Sequence, residues 1–402
     1  MQQSLGTFFS EYIGKNSIFV SKGILQTGHL PENLLHRDEQ INNLAMMLAP
    51  TLRKEKPSNI FIYGKSGTGK TVTVRYVCKE LERIASSKNI PMRIIYLNCK
   101  LKRVADTEYR LIAELARAFN TPVPATGLPT DEVYRIFVHS VQKENKPVIL
   151  VLDEIDQLVK KIGDGFLYSL TRLNEDLQHN TISIVGISND LIFVDFLDSR
   201  IRSSLSEEEI IFPPYNAMQL QDILFLRASL ALKENSIEEG VIEKCAAYAA
   251  REHGDARRAL ELLRVAAEIA ERNGFAQLSV RHIDEAEEKI EKDRVVEILS
   301  TQPKQFQAVL YSVMSYPKKT TSQKLYTGDI YELYRHVCKR AGLKSLTQRR
   351  ISDILGELDT LGIVTARIIS KGRHGRTREL HLATPQQLNP KIKQIIEDSL
   401  DL

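Results

Sequence analysis

The chain has 402 residues, more than one hydrophobic core holds, so two or three domains are expected. A hydrophobic fraction of 43% with 26% charged residues excludes a largely disordered chain, and no apolar run reaches the ~18 to 20 residues that span a bilayer. The net charge of +4 is uneven: residues 296–402 carry 17 Lys plus Arg against 10 Asp plus Glu, a net +7 that leaves −3 elsewhere, so this part either meets a polyanion or is a solvated basic face.

Short runs rich in Ile, Val and aromatics at residues 59–64, 92–99, 148–153, 181–189 and 209–212 read as strands, and long helical patterns separate them. That alternation predicts a parallel sheet covered on both faces, with ligands bound beyond the carboxyl ends of the strands. Pro213 and Pro214 end the last strand, and residues 216 to about 292 read as helices only, with Leu220, Ile223, Leu224 and Leu260, Leu263, Ala267 as apolar stripes. After Pro303, three helices precede two strands at residues 363–370 and 377–383. Three domains are therefore expected, at 1–215, 216–295 and 296–402. The four cysteines, Cys78, Cys99, Cys245 and Cys338, form no C-x-x-C pair and read as reduced thiols. Without an apolar leader at Met1, the protein is expected in the cytosol.

Residues 59–71 run from a strand through a glycine-rich turn into a helix start and match G-x-x-x-x-G-K-[ST] without mismatch. Gly64, Gly67 and Gly69 permit a tight turn that aims backbone N–H groups at phosphates, and Lys65, Ser66 and Thr68 fill the loop between them. Lys70 then reaches the β- and γ-phosphates, Thr71 offers a hydroxyl to Mg²⁺, and Val72 continues the helix. Residues 148–152 form an apolar strand ending in Asp153, suited to the Mg²⁺ shell, and Glu154, suited to polarising a water for attack on a γ-phosphate. Asn189 ends the fourth strand, either to position that water or as a turn residue. In Gly254-Asp255-Ala256-Arg257-Arg258 one arginine either folds over the phosphates or sits on a surface helix.

In the third segment Gly342 ends one helix, Thr347 caps the next and Gly362 closes it, the punctuation of a helix-turn-helix. Residues 347–361 are thus the expected recognition helix, with Gln348, Arg349, Arg350 and Ser352 toward DNA and Ile351, Ile354, Leu355 and Leu358 buried. Between the two strands, Lys371, Arg373, His374, Arg376 and Arg378 make a basic hairpin tip, expected as a wing that enters a minor groove.

These motifs together resemble the AAA+ ATPases, and residues 30–37, 203–215, 346–363 and 370–378 are similar to the archaeal Orc/Cdc-type DNA replication initiators over nearly the whole chain. The resemblance implies an α/β P-loop nucleotide-binding fold with a parallel sheet, a helical lid domain and a C-terminal winged-helix domain. It makes Lys70, Thr71, Asp153 and Glu154 the nucleotide and metal residues, Asn189 sensor 1 and Arg257 sensor 2, with Arg37 and its neighbours beside the adenine and Tyr215 grouped with them. It also implies a helical insertion near residues 100–119 that contacts DNA, where Lys102 and Arg103 are compatible with the role but also with a solvated basic run.

The implied function is an ATP- or ADP-bound protein that recognises double-stranded origin repeats, helps load the minichromosome maintenance helicase, and works with other initiator paralogues, with no membrane partner. Hydrolysis is expected to be slow and regulatory, because the usual arginine-finger position falls in Ser203-Ser204, with Arg200 or Arg202 as substitutes. The same pair argues against a ring-forming motor of the clamp-loader kind. A winged-helix transcription regulator with structurally bound ADP is the alternative.

Overall fold

The computed structural model describes residues 17–100, 107–124, 126–144, 146–177, 180–205, 208–316, 325–370, 376–383 and 389–402. The chain divides into two compact units, Met1–Ile283 and Asp284–Leu402.

In the first unit five strands, β1 (Ile60–Tyr63), β2 (Arg93–Asn98), β3 (Val148–Asp153), β4 (Ile182–Ser188) and β5 (Glu208–Ile211), form one parallel sheet in the order β2-β3-β4-β1-β5. Every residue of β3 and β4 is buried, the expected fate of near-continuous apolar strands covered on both faces. Alternation divides them between two cores. Phe61, Leu150, Leu152 and Ile184 join one cluster with Leu111, Phe137 and Leu170. Ile60, Ile62, Ile149, Val151, Val185 and Ile187 join another with Leu44, Val74 and Val77. The helices supplying those partners are α1 (Asp38–Leu48) and α2 (Lys70–Ser87) on one face, and α3 (Glu108–Ala118), α4 (Thr130–Glu144), α5 (Ile155–Ile162) and α6 (Gly165–Asp176) on the other, followed by the short α7 (Ser199–Leu205). Parallel register pairs Tyr63 with Ser188, Asn98 with Asp153 and Asp153 with Ile187, so the strands carrying the glycine-rich loop, the two carboxylates and Asn189 end at one level.

The stretch at residues 100–119, expected as a helical insertion between the second and third strands, contains α3, which buries Leu111, Ile112, Leu115 and Ala116 in the core, and Lys102 and Arg103 lie outside the described residues.

Four helices complete this part of the chain: α8 (Ala217–Ala231), α9 (Val241–Arg251), α10 (Ala256–Arg272) and α11 (Val280–Thr301), the last crossing the boundary between units. A capping box of Asn216 and Gln219 starts α8, and the Asp255 carboxylate starts α10 by accepting from the Arg257 and Arg258 amides.

The second unit contains α12 (Lys304–Ser315), β6 (Leu325–Tyr326), α13 (Thr327–Arg340), α14 (Gln348–Thr360), β7 (Val364–Ser370), β8 (Arg376–Leu382) and α15 (Asn389–Leu400). Its antiparallel sheet has the order β6-β8-β7. Three helices before a hairpin match the sequence reading, whereas β6 and α15 were not anticipated. β6 is only two residues long and shows no periodicity, and α15 buries Ile392, Ile396 and Leu400 in the same core as α12. All four cysteines are buried and none forms a disulfide, and no described helix is long and apolar enough to cross a membrane.

Candidate nucleotide site and candidate DNA-facing helix

The glycine-rich loop folds as its spacing requires. Gly67 and Gly69 take positive φ, +71° and +92°, which residues with a Cβ adopt only under strain. The loop is also hemmed in: a Cβ at Gly64 would lie 2.5 Å from the Phe212 carbonyl, and one at Gly69 would lie 2.6 Å from the Tyr215 hydroxyl. Lys70 opens α2 and is 4% exposed. Its Nζ donates to the carbonyls of Gly64 and Lys65, both at 2.7 Å, so the ammonium is curled back over its own loop.

Burial, and next the charge of Arg257, lowers the Lys70 pKa from 10.5 to about 8 despite the opposing pull of Asp153, Asp156 and Asp255. Because the folded value lies below the unfolded one, this group disfavours the folded state below pH 8, and its contribution to stability rises as pH increases from about 8 to 10.5. Phosphate oxygens arriving beside Lys70 favour its charged form. We therefore predict that ADP binding at pH 9 takes up protons, measured as a calorimetric enthalpy that changes with the ionisation enthalpy of the buffer. A buffer-independent enthalpy there would show that Lys70 does not change charge.

Thr71, also in α2, donates its hydroxyl to both Asp153 oxygens, at 3.1 and 3.3 Å, and Tyr96 on the neighbouring strand donates to Asp153 Oδ2. Glu154 follows with φ of 58°, an uncommon conformation for a residue with a side chain, where the chain turns from β3 into α5. Lys100 Nζ stands 3.7 Å from the Glu154 carboxylate. Asp156, 2% exposed, accepts from the Ser188 hydroxyl at 3.3 Å and the Asn189 amide at 3.4 Å, and so fixes the end of β4. No local pattern marks Asp156 for this role, because its partner lies 33 residues away.

Gly67, Gly69, Lys70, Thr71, Asp153, Glu154, Asn189 and Arg257 line a single small cavity. An adjoining, larger cavity shares Gly67, Gly69, Thr71 and Arg257 with it, then continues past Val72 and Tyr215 to Leu30 and Leu35 on one side and Ile223 and Leu226 of α8 on the other. Thr68 is buried with its hydroxyl on the Lys65 carbonyl, whereas Lys65 and Ser66 are exposed side chains outside both linings.

The neighbours of Arg37, residues 27–31 and 33–35, line the larger cavity, while Arg37 itself sits behind it. At 2% exposed, it donates to the carbonyls of Thr68 at 2.9 Å, His36 at 3.0 Å and Pro213 at 2.7 Å, with its guanidinium 3.7 Å from the centre of the Tyr215 ring. Burial pulls its pKa below the ordinary value. Arg37 is therefore a clamp that ties the glycine-rich loop to the chain after β5.

A second clamp comes from α10. The Ala256 amide donates to the Gly67 carbonyl at 3.1 Å, and a Cβ on Gly67 would lie 1.8 Å from Asp255 Oδ1. Gly67→Ala thus combines left-handed backbone strain with a clash against a capping carboxylate. We predict a loss of about 2 to 4 kcal/mol in unfolding free energy. Urea titration checks it beside Gly23→Ala, whose added Cβ meets nothing within 4 Å; equal midpoints for the two variants would contradict it.

The two finger candidates sit at the surface beside carboxylates. Arg200 pairs with Asp198 and Arg202 with Asp195, each at 3.1 Å, and both are more than half exposed. Ser203 Oγ donates to the Arg200 carbonyl at 3.0 Å.

In the second unit the helix-turn-helix punctuation is present. Gly342 and Gly362 have φ of 65° and 71°, and the Thr347 hydroxyl accepts from the Arg350 amide at 3.4 Å. Ile351, Ile354, Leu355 and Leu358 are buried, leaving Gln348, Arg349 and Arg350 exposed on the first turn of α14. Arg350 has loose acidic neighbours, Asp353 at 3.9 Å and Glu357 at 3.7 Å. Arg378 departs from the expected wing tip: it is half-buried on β8, and a Cβ on Gly356 of α14 would lie 2.8 Å from its Nη1. A glycine inside a helix costs stability, and here it makes room for that guanidinium. Lys371, Arg373 and His374 lie outside the described residues, as does the side chain of Arg376.

Comparison with known proteins places the whole chain. Residues 53–189 match the family described as AAA domain, residues 221–288 the Cdc6 AAA+ ATPase-type lid domain, and residues 297–389 the CDC6 C terminal winged helix domain. The ORC1-type DNA replication protein 1 of Methanosarcina acetivorans is 49% identical over 397 residues, covering 98% of this chain and 94% of the relative. The chain belongs to the ORC1-type DNA replication proteins. A second ORC1-type relative, from Pyrococcus furiosus, is 50% identical over 95% of this chain and 91% of its own length. The structure of the Aeropyrum pernix ORC1 protein in complex with DNA superposes with a TM-score of 0.84 at 42% identity, covering 96% of this chain and 98% of that one. The ORC1-type assignment agrees with the fold expected from the sequence: an AAA+ parallel sheet, a helical lid and a winged helix.

Proposed function

We propose that this protein is a nucleotide-controlled initiator that recognises double-stranded DNA at replication origins and helps load the minichromosome maintenance helicase. The observation carrying the nucleotide part is the meeting of the glycine-rich loop, the end of β3, the end of β4 and the start of α10 at one cavity. Lys70 would release its own loop carbonyls for the β- and γ-phosphates of ATP, and Arg257 would approach them from α10. The half-buried Thr71 hydroxyl and the buried Asp153 carboxylate form the small oxygen set that suits Mg²⁺, which when bound neutralises charge developing on the phosphates. Glu154 would accept the proton of an attacking water, and Asn189, held by Asp156, would orient that water. With Arg200 and Arg202 engaged by acidic neighbours, hydrolysis is expected to be slow.

The DNA part rests on the exposed polar start of α14, on the basic composition of the segment, and on the DNA complex solved for the Aeropyrum pernix relative. Gln348, Arg349 and Arg350 would enter the major groove, with Lys371, Arg373, His374 and Arg376 at the wing and Lys102 and Arg103 as further phosphate contacts. Arg378 supports the helix–hairpin junction instead. Other initiator paralogues would share the origin. Mapping bound genomic fragments in ATP and then ADP tests this: enrichment at origins is expected, whereas binding confined to promoters would favour a transcription regulator.

A further inference from the structure

The far wall of the larger cavity holds a buried cation that the phosphate site does not use. Arg227 lies on α8 and is 8% exposed. α8 starts just after Tyr215, whose hydroxyl faces Gly69, and at 1.5 Å per residue Arg227 stands about 15 Å along the helix from that point. The one cavity reaches from Gly67 and Gly69 of the glycine-rich loop to Arg227. Ile223, Leu226 and Leu260 line the same cavity and offer apolar walls suited to the faces of a ring.

A guanidinium only donates hydrogen bonds. Arg227 Nη2 gives one to the His29 carbonyl at 3.2 Å, while the buried Nη1 has no acceptor. Among the described residues no carboxylate pairs with it, and burial alone lowers its pKa. His29, on the same cavity, has its own pKa lowered by burial and next by the Arg227 charge, which places the two side by side. A desolvated donor with no partner is costly to keep, and the wall of an apolar slot is where a ligand acceptor relieves it.

We propose that Arg227 reads the base: its Nη1 donates to a ring nitrogen of a purine held between the apolar walls, making it a specificity-determining residue for the nucleotide. This rests on the nucleotide reading of the adjoining phosphate cavity. In adenine the N1, N3 and N7 ring nitrogens are unprotonated acceptors at the ring edge, and removing one by a CH replacement deletes a single acceptor while leaving the shape nearly unchanged.

The test is calorimetric titration of the full chain with ADP and with its 1-deaza, 3-deaza and 7-deaza analogues. The unmodified protein is expected to bind one analogue about 10- to 100-fold more weakly than ADP and the other two nearly as well, the range for one charge-assisted hydrogen bond. Arg227→Met is expected to bind ADP with that same reduced affinity and no longer to distinguish the deficient analogue. Equal binding of all four ligands by the unmodified chain, or an equal loss for all four in Arg227→Met, would overturn the proposal by reducing Arg227 to a packing residue. Failure of the unmodified chain to bind any of the four would instead remove the nucleotide reading on which it rests.

Discussion

Replacing Lys70 with alanine is expected to weaken ADP and ATP binding by about 100-fold or more, the largest effect of any single change in this chain. The ammonium is buried and its two present acceptors, the Gly64 and Lys65 carbonyls, are neutral. Phosphate oxygens are stronger acceptors for a cation, and one hydrogen bond between charged groups is worth about 1.5 to 3 kcal/mol, with more than one formed here. Truncation also leaves two loop carbonyls without their donor, so the loop itself loosens. Because Lys70 belongs to the first compact unit, duplex binding by the second is expected to survive the substitution. Calorimetry showing ordinary ADP affinity for Lys70→Ala would remove the phosphate-binding role.

The second large effect is on DNA. Arg349, Arg373 and Arg376 replaced together by alanine should weaken duplex binding and flatten its dependence on salt. Each phosphate neutralised contributes about 0.9 to the slope of log affinity against log salt, so three contacts account for a change of about 2.7. Arg378 is left intact in this variant because its guanidinium lies against Gly356, and removing it would disturb the helix that presents Arg349. A slope unchanged within error would reject both the helix and the hairpin as the DNA-facing surface.

Much of this was legible in the sequence because the signals were local. The apolar run of β3, the glycine spacing around Lys70, and the Thr347 and Gly362 punctuation of α14 each act within a few residues, and the structure puts these elements within a residue or two of their expected bounds. What escaped depends on contacts between distant positions. The hydrogen bonds of Arg37 reach Thr68 and Pro213 across 31 and 176 residues, a clamp that no local spacing announces. The seating of Asp255 on Gly67 and the solitary guanidinium of Arg227 leave no pattern in spacing or composition, because only packing brings those groups to the nucleotide cavity. Arg378 was grouped with the hairpin tip because it continues a basic run, but the β7–β8 register pairs it with Ile368, below the tip.

The central claim is that one chain joins a nucleotide-holding body to a sequence-reading DNA body. It is tested most directly by competition titration at physiological salt, with saturating ADP, of a duplex selected from origin fragments against a scrambled duplex of equal length. Specific recognition predicts a preference of about 10³ or more for the selected duplex, lost when Arg349 and Arg376 are replaced. Equal affinity for the two duplexes would contradict it.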